Sequence, residues 1–231
     1  MARLDLSLVA NPGLIKNRRD RNWAGSFTGD QPETMLEKII LGIDPGSHFT
    51  GFGLVKFDGR RVQHLSHGVI SLPSRQCFNH RVAILAGEIE LLLERLQPDI
   101  TVVEKIFLGK NADSAFKLGH TRGVIIAAAM KAGCEVVEYA TRSVKKGVTG
   151  SGSASKEQVQ MLLFAALGLK SPSQNLDASD ALALAFYHAR HLDSQGARLS
   201  ASPSTRLSAS GRDSGVEPVH GDLRTKTERD I

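Results

Sequence analysis

Four carboxylates in this chain stand where side chains are usually held still. Asp44 ends the almost wholly apolar run that begins at Ile39, and the turn-breaking pair Pro45 and Gly46 follows at once. Glu104 ends a second short, β-branched run, 100–103. Asp177 and Asp180 lie three apart where a helical pattern begins, so they share one helix face. An acid placed in or near a core is costly unless it is hydrogen-bonded, paired or bound to a cation. Four of them gathered without countercharge would repel and resist ionising. Hard divalent cations with oxygen ligands remove that conflict, and Mg²⁺ suits a few carboxylates completed by water and phosphate oxygens. Two such ions about 4 Å apart can activate a water and stabilise a leaving oxygen in phosphodiester cleavage.

The elements that must bring these acids together can be read along the chain. After Asp44, alternation through Phe52, Leu54 and Phe57 leads to the hairpin turn Asp58-Gly59 and a strand over 62–70. Apolar residues at Val82, Leu85, Ile89, Leu92, Leu93 and Leu96 recur at helical spacing, and Pro98 stops them. A helix between the hairpin and the strand at 100–103 predicts a parallel crossover. A longer helix is predicted over 113–132, with Ala115, Gly119, Gly123 and Ala127 forming a small-residue stripe suited to sheet packing or to a helix-to-helix dimer seam. A strand follows at 135–139. The Gly-, Ser- and Lys-rich stretch 141–155 is read without an element of its own, ending in Ser153 or Ser155 as cap of a helix that starts near Lys156. The last predicted helix spans 175–191. In parallel α/β sheets, sites gather beyond the carboxyl ends of strands, so the four acids are expected to converge.

Composition narrows the partners. The net charge is +5, and nearly all of it lies within 35–192 and not in the tails, which favours an acidic partner such as nucleic acid. Cys77 and Cys134 are the only cysteines, far apart, which supports neither a disulfide framework nor a zinc knuckle. No stretch approaches the roughly 18 apolar residues of a membrane span, and a soluble, cytoplasmic protein with no membrane partner is expected. Residues 1–36 read as a disordered extension, with Met35 an alternative start. Residues 37–192 form the expected domain, and 193–231 read as a disordered tail. Acids with a basic surface point to a metal-dependent nuclease.

Five short motifs make the reading more specific. Leu-Gly-Ile-Asp-Pro-Gly-Ser at 41–47, Val-Glu-Lys-Ile-Phe at 103–107, Lys-Asn-Ala-Asp-Ser-Ala at 110–115, Leu-Gly-His-Thr-Arg-Gly at 118–123 and Asp-Ala-Ser-Asp-Ala-Leu-Ala-Leu-Ala at 177–185 resemble, in order and spacing, the crossover-junction endonuclease family RuvC. The resemblance implies an α/β, ribonuclease H-like fold with a mixed five-stranded sheet flanked by helices. It also implies a homodimer that resolves four-way Holliday junctions by paired symmetric nicks with two Mg²⁺ ions per subunit, in recombination and repair, beside a RuvA–RuvB branch-migration complex. It assigns metal binding and catalysis to Asp44, Glu104, Asp177 and Asp180; some relatives have His at the third position. Lys145 and Lys156 match basic residues near the scissile phosphate, where an ammonium would stabilise developing charge. Phe107 matches an aromatic that stacks on an opened base, an interaction of about 1–3 kcal/mol. Lys105, Lys110, Arg122 and Lys146, with Lys117 and Arg142, add positive charge that would bind DNA phosphates.

Other readings are weaker. A sugar-kinase or actin-like ATPase also follows a first strand with Asp, Gly and Ser, but it needs a longer chain and a second glycine-rich phosphate motif, and neither occurs here. A junction-binding scaffold without cleavage is the main alternative, disfavoured by four intact acids. His188 lies eight residues beyond Asp180, about 12 Å along a helix, too far to share a metal. His48 is closer to Asp44, but its expected role is structural.

Overall fold

The computed structural model describes residues 37–105, 112–170 and 176–200. Five strands, β1 (Lys38–Asp44), β2 (Phe49–Phe57), β3 (Val62–Ser71), β4 (Ile100–Glu104) and β5 (Glu135–Tyr139), form one sheet in the order β3-β2-β1-β4-β5. The β1–β2 and β2–β3 pairs are antiparallel, whereas β1–β4 and β4–β5 are parallel. The mixed sheet follows from the connections. Short turns join the first three strands, and helices α1 (Phe78–Leu96) and α2 (Ala112–Lys131) lie between the strands that run parallel.

Both faces of the sheet are covered. Ile39, Leu41, Ile43 and Val103 pack with Leu85, Ile89 and Leu92 of α1 and Ile125 of α2. On the other face, Ile40, Val55, Ile100 and Val102 pack with α3 (Thr141–Thr149), α4 (Lys156–Ala166) and α5 (Leu176–Ser200). Side chains alternate along a strand, so Ile40, Gly42 and Asp44 share the second face, as do Ile100, Val102 and Glu104. The β1–β4 register pairs Ile40 with Ile100 and Gly42 with Val102. Asp44 and Glu104 are therefore neighbours at the same end of the same face, the one that α5 covers.

Two elements depart from the sequence reading. The stretch after β5 contains the helix α3, held by buried Val144 with Val148 packed nearby; two valines four apart suffice to seat nine residues whose composition otherwise reads as a loop. Helix α5 continues to Ser200, beyond the helix end expected at residue 191 and the domain boundary expected at 192. Other predicted features recur as expected. Gln97, just before Pro98, closes α1 in the left-handed conformation at φ 41°. Ser155 caps α4 through a reciprocal box in which its hydroxyl accepts from the Gln158 amide at 3.2 Å and its own amide donates to the Gln158 side chain at 2.9 Å. Among the described residues, no helix is long and apolar enough to cross a membrane.

Candidate metal centre and nucleic-acid interface

Close approach of α5 to the sheet sets the position of Asp177 and Asp180. Where the helix crosses, the strands carry glycine: a Cβ on Gly42 would run into the carbonyl of Ala181, and one on Gly51 into the carbonyl of Asp177. Gly51 pairs directly with Asp44 across the β1–β2 ladder. The missing side chains thus let the first turn of α5 descend onto the strand end that bears Asp44. One carboxylate oxygen from each of Asp44, Asp177 and Asp180 lies within 4.8 Å of the others. Glu104, the fourth predicted ligand, falls outside that group of three, and its carboxyl interacts with Asp44 by charge and hydrogen bonding.

The electrostatics are those of crowded acids. Burial, then the charge and hydrogen bond of Glu104 and the charge of Asp180, push the Asp44 carboxyl up to about 9, against the opposing pull of Lys156. Burial also raises Asp180, although Lys156 works the other way. Lys156, at the start of α4, forms an ion pair with Asp180 and lies 4.0 Å from Asp177. Burial acts to lower its pKa, but the hydrogen bond and charge of Asp180, reinforced by Asp44 and Asp177, hold it above the ordinary lysine value. A donor set made only of carboxylate oxygens, with one acid kept protonated for want of positive charge, fits a hard divalent cation.

The basic residues differ in what they already hold. Lys145 is half-buried, and its ammonium donates to the Ala154 carbonyl at 2.7 Å, steadying the loop that ends in the α4 cap. Arg122 pairs with Glu138, and its Nε donates to the Glu104 carbonyl at 3.2 Å, so its guanidinium is engaged within the fold. Lys117 pairs with Asp113 at 2.5 Å. Lys105, Arg142 and Lys146 are exposed, Lys105 next to Glu104 in the chain and the other two on α3. Phe107 and Lys110 lie outside the described residues. His188 is buried and hydrogen-bonds the Tyr139 hydroxyl at 2.9 Å, while His48 lies against the Arg81 guanidinium; neither belongs to the acid cluster identified among the described residues.

Two contacts at the site had no counterpart in the sequence reading. The Thr141 hydroxyl donates to Glu104 Oε1. Gln160 of α4 donates to the Ser179 hydroxyl at 3.3 Å, tying the helix that carries Lys156 to the one that carries Asp177 and Asp180. The position of Ser179 between the two acids is the only sequence signal for the second contact, and none exists for the first.

The profile of the family described as crossover junction endodeoxyribonuclease RuvC matches residues 40–188. A relative of that name from Bdellovibrio bacteriovorus is 56% identical over 154 residues, covering 67% of this chain and 91% of its own length. Another, from Aliivibrio fischeri, is 45% identical over 151 residues, covering 65% and 86%. Among solved structures, Thermus thermophilus RuvC in complex with a Holliday junction substrate superposes with a TM-score of 0.63 at 29% identity, covering 68% of this chain and 96% of that one. The yeast mitochondrial Holliday junction resolvase Ydc2 shares the fold, with a TM-score of 0.54 at 12% identity over 69% of this chain and 80% of its own.

Proposed function

The chain belongs to the RuvC family of crossover junction endodeoxyribonucleases, and from that premise we propose that it resolves four-way Holliday junctions as a homodimer, hydrolysing one phosphodiester in each of two equivalent strands. The observation that carries this reading is the convergence of Asp44, Asp177 and Asp180 within 4.8 Å, with Glu104 against Asp44. The four acids would hold two Mg²⁺ ions, and the chemistry such ions would supply is activation of a water and stabilisation of the leaving oxygen. Lys156, already within reach of two of the acids, supplies an ammonium charge beside the phosphate. Lys145 steadies the loop from which Lys156 emerges. Lys105 and Lys146 bind backbone phosphates, and Phe107 and Lys110 act at the opened junction. The ends left are a 5′-phosphate and a 3′-hydroxyl.

A twofold partner suits a twofold substrate, since the junction offers two equivalent strands. Helix α2 supplies a face for it: Phe116 and Met130 are exposed, and nothing lies within 4 Å of a Cβ built on Gly119 or Gly123. Sedimentation at the mass of a single 24.9 kDa chain would remove the dimer from this reading. In the cell, delivery of the junction by a RuvA–RuvB branch-migration complex completes the proposal.

The decisive experiment is cleavage of a synthetic four-way junction against a linear duplex, in Mg²⁺ and in chelator, with wild type and Asp180→Asn. Paired nicks on the junction alone, lost with chelator and with the variant, are expected. Binding without nicks would point to a scaffold, and equal cutting of duplex would overturn the substrate.

A further inference from the structure

We infer that Thr141 is a positioning residue of the metal centre, setting the Glu104 carboxylate through its hydroxyl; the inference rests on the metal-dependent reading above. Glu104 is the last residue of β4. It has one more side-chain torsion than the aspartates, and the strand that carries it ends there. The structure holds its backbone and its side chain separately.

The backbone is held from β5 and α2. The Lys105 amide donates to the Tyr139 carbonyl at 2.8 Å, continuing the β4–β5 ladder one step past Glu104. Arg122 of α2 donates to the Glu104 carbonyl at 3.2 Å while paired with Glu138 of β5. Those contacts fix where the side chain begins and leave its rotamer open.

The rotamer is held by two groups. The Glu104 carboxyl hydrogen-bonds Asp44, and Thr141 donates to its Oε1. Thr141 is well suited to the task. It is the first residue of α3, a helix anchored by buried Val144, and a β-branched side chain has few χ1 choices. Its hydroxyl therefore has few positions to choose from, and in the one it takes it meets a carboxylate 37 residues away along the chain. With Oε1 committed, the carboxylate cannot swing freely out to solvent, and it stays turned toward Asp44. Outer contacts of this kind orient metal ligands, and their loss typically weakens metal affinity about 10- to 100-fold.

The test is calorimetric titration of the full chain with Mn²⁺ alone, without DNA, for wild type, Thr141→Val and Thr141→Ser, alongside thermal denaturation of each in chelator. Valine keeps the shape and removes the hydroxyl; serine keeps the hydroxyl. Thr141→Val is expected to bind Mn²⁺ about tenfold more weakly, the low end of that range because the contact is exposed. Thr141→Ser is expected to stay close to wild type, and all three should melt together in chelator. Equal Mn²⁺ affinity for wild type and Thr141→Val would overturn the inference while leaving the metal centre intact. So would a serine variant as weak as valine, or a valine variant that melts early in chelator, since either would mean a structural role. A wild type that takes up no Mn²⁺ would overturn the metal centre itself.

Discussion

Replacing Asp44 by Asn should make the protein more stable without metal and less stable with it. Folding in chelator at neutral pH places on Asp44 a proton that the unfolded chain has lost, because the carboxyl rises from its ordinary 3.8 to about 9 in the fold. Carrying that proton from 3.8 to pH 7 costs roughly 4 kcal/mol at about 1.36 kcal/mol per pH unit, which caps the gain from an uncharged Asn. Asn keeps a donor for Glu104 but meets it imperfectly, so about half the cap, roughly 2 kcal/mol, is the expected gain. For a chain of this size that is a rise in Tm of about 4–8 °C. Wild type in Mg²⁺ at about 100 times its Kd gains roughly 2.7 kcal/mol, most of which Asn forfeits, so the order of the two proteins inverts. The penalty exists only where the unfolded carboxyl is ionised and the folded one is not. It therefore grows as pH rises from 3.8 toward 9, and the gap between variant and wild type in chelator should widen from pH 6 to pH 8. Thermal denaturation of both proteins at those two pH values, in chelator and in Mg²⁺, measures every quantity. A variant less stable than wild type in chelator, with a gap indifferent to pH, would refute the reasoning: Asp44 would then be an ionised partner of Lys156.

Three further outcomes follow from the same geometry. Metal uptake at pH 7 should release close to one proton, and affinity should rise with pH up to about 9, because the Asp44 carboxyl holds its proton below that value in the absence of cation; Mg²⁺ titrations in two buffers of different ionisation heat count the proton directly, and a count of zero would contradict the site. Gly51→Ala should push the Asp177 carbonyl, and α5 with it, off the sheet; the expected result is a loss of about 1–3 kcal/mol in chelator and junction cleavage down by as much as about 100-fold through misplaced carboxylates, and a variant that cuts at the wild-type rate would show that the helix has room. Lys146→Ala removes an exposed charge on α3, so junction binding should weaken and the salt slope should fall by about one, as read by fluorescence anisotropy across a salt series; an unchanged slope would take Lys146 out of the interface.

What was legible in the sequence divides along a physical line. Apolar runs ending in acids, the Pro98 stop and the Ser155 cap are local signals, and each recurs in the structure at or next to its expected position. The convergence of the acids was legible in outline, because sites in parallel α/β sheets gather beyond the carboxyl ends of strands; three of the four, Asp44, Asp177 and Asp180, lie within 4.8 Å of one another. The rest depended on distant partners. Arg122 reads as a phosphate ligand from charge and neighbourhood, but its partner Glu138 is on another element. Helix α3 is hidden because Gly, Ser and Lys dominate its surroundings and only Val144 is buried. The continuation of α5 to Ser200 was obscured by a polar run in which few large apolar residues mark a face. Thr141 carries no sequence signal at all, because a threonine at a helix start is ordinary until its neighbour across the sheet end is known.

The glycine track beneath α5 bears on when the protein becomes dangerous to DNA. Chains leave the ribosome from the N-terminus, at about 5–20 residues per second, and all five strands and the first two helices are synthesised before Leu176. That part of the chain holds Asp44 and Glu104 but neither of the other two acids. Half the ligand set arrives with α5 and comes to rest only when that helix has settled into the groove that Gly42 and Gly51 leave open. The last of the described helices in chain order thus completes the acid set, and a chain interrupted before it, or one in which it misdocks, lacks half of that set.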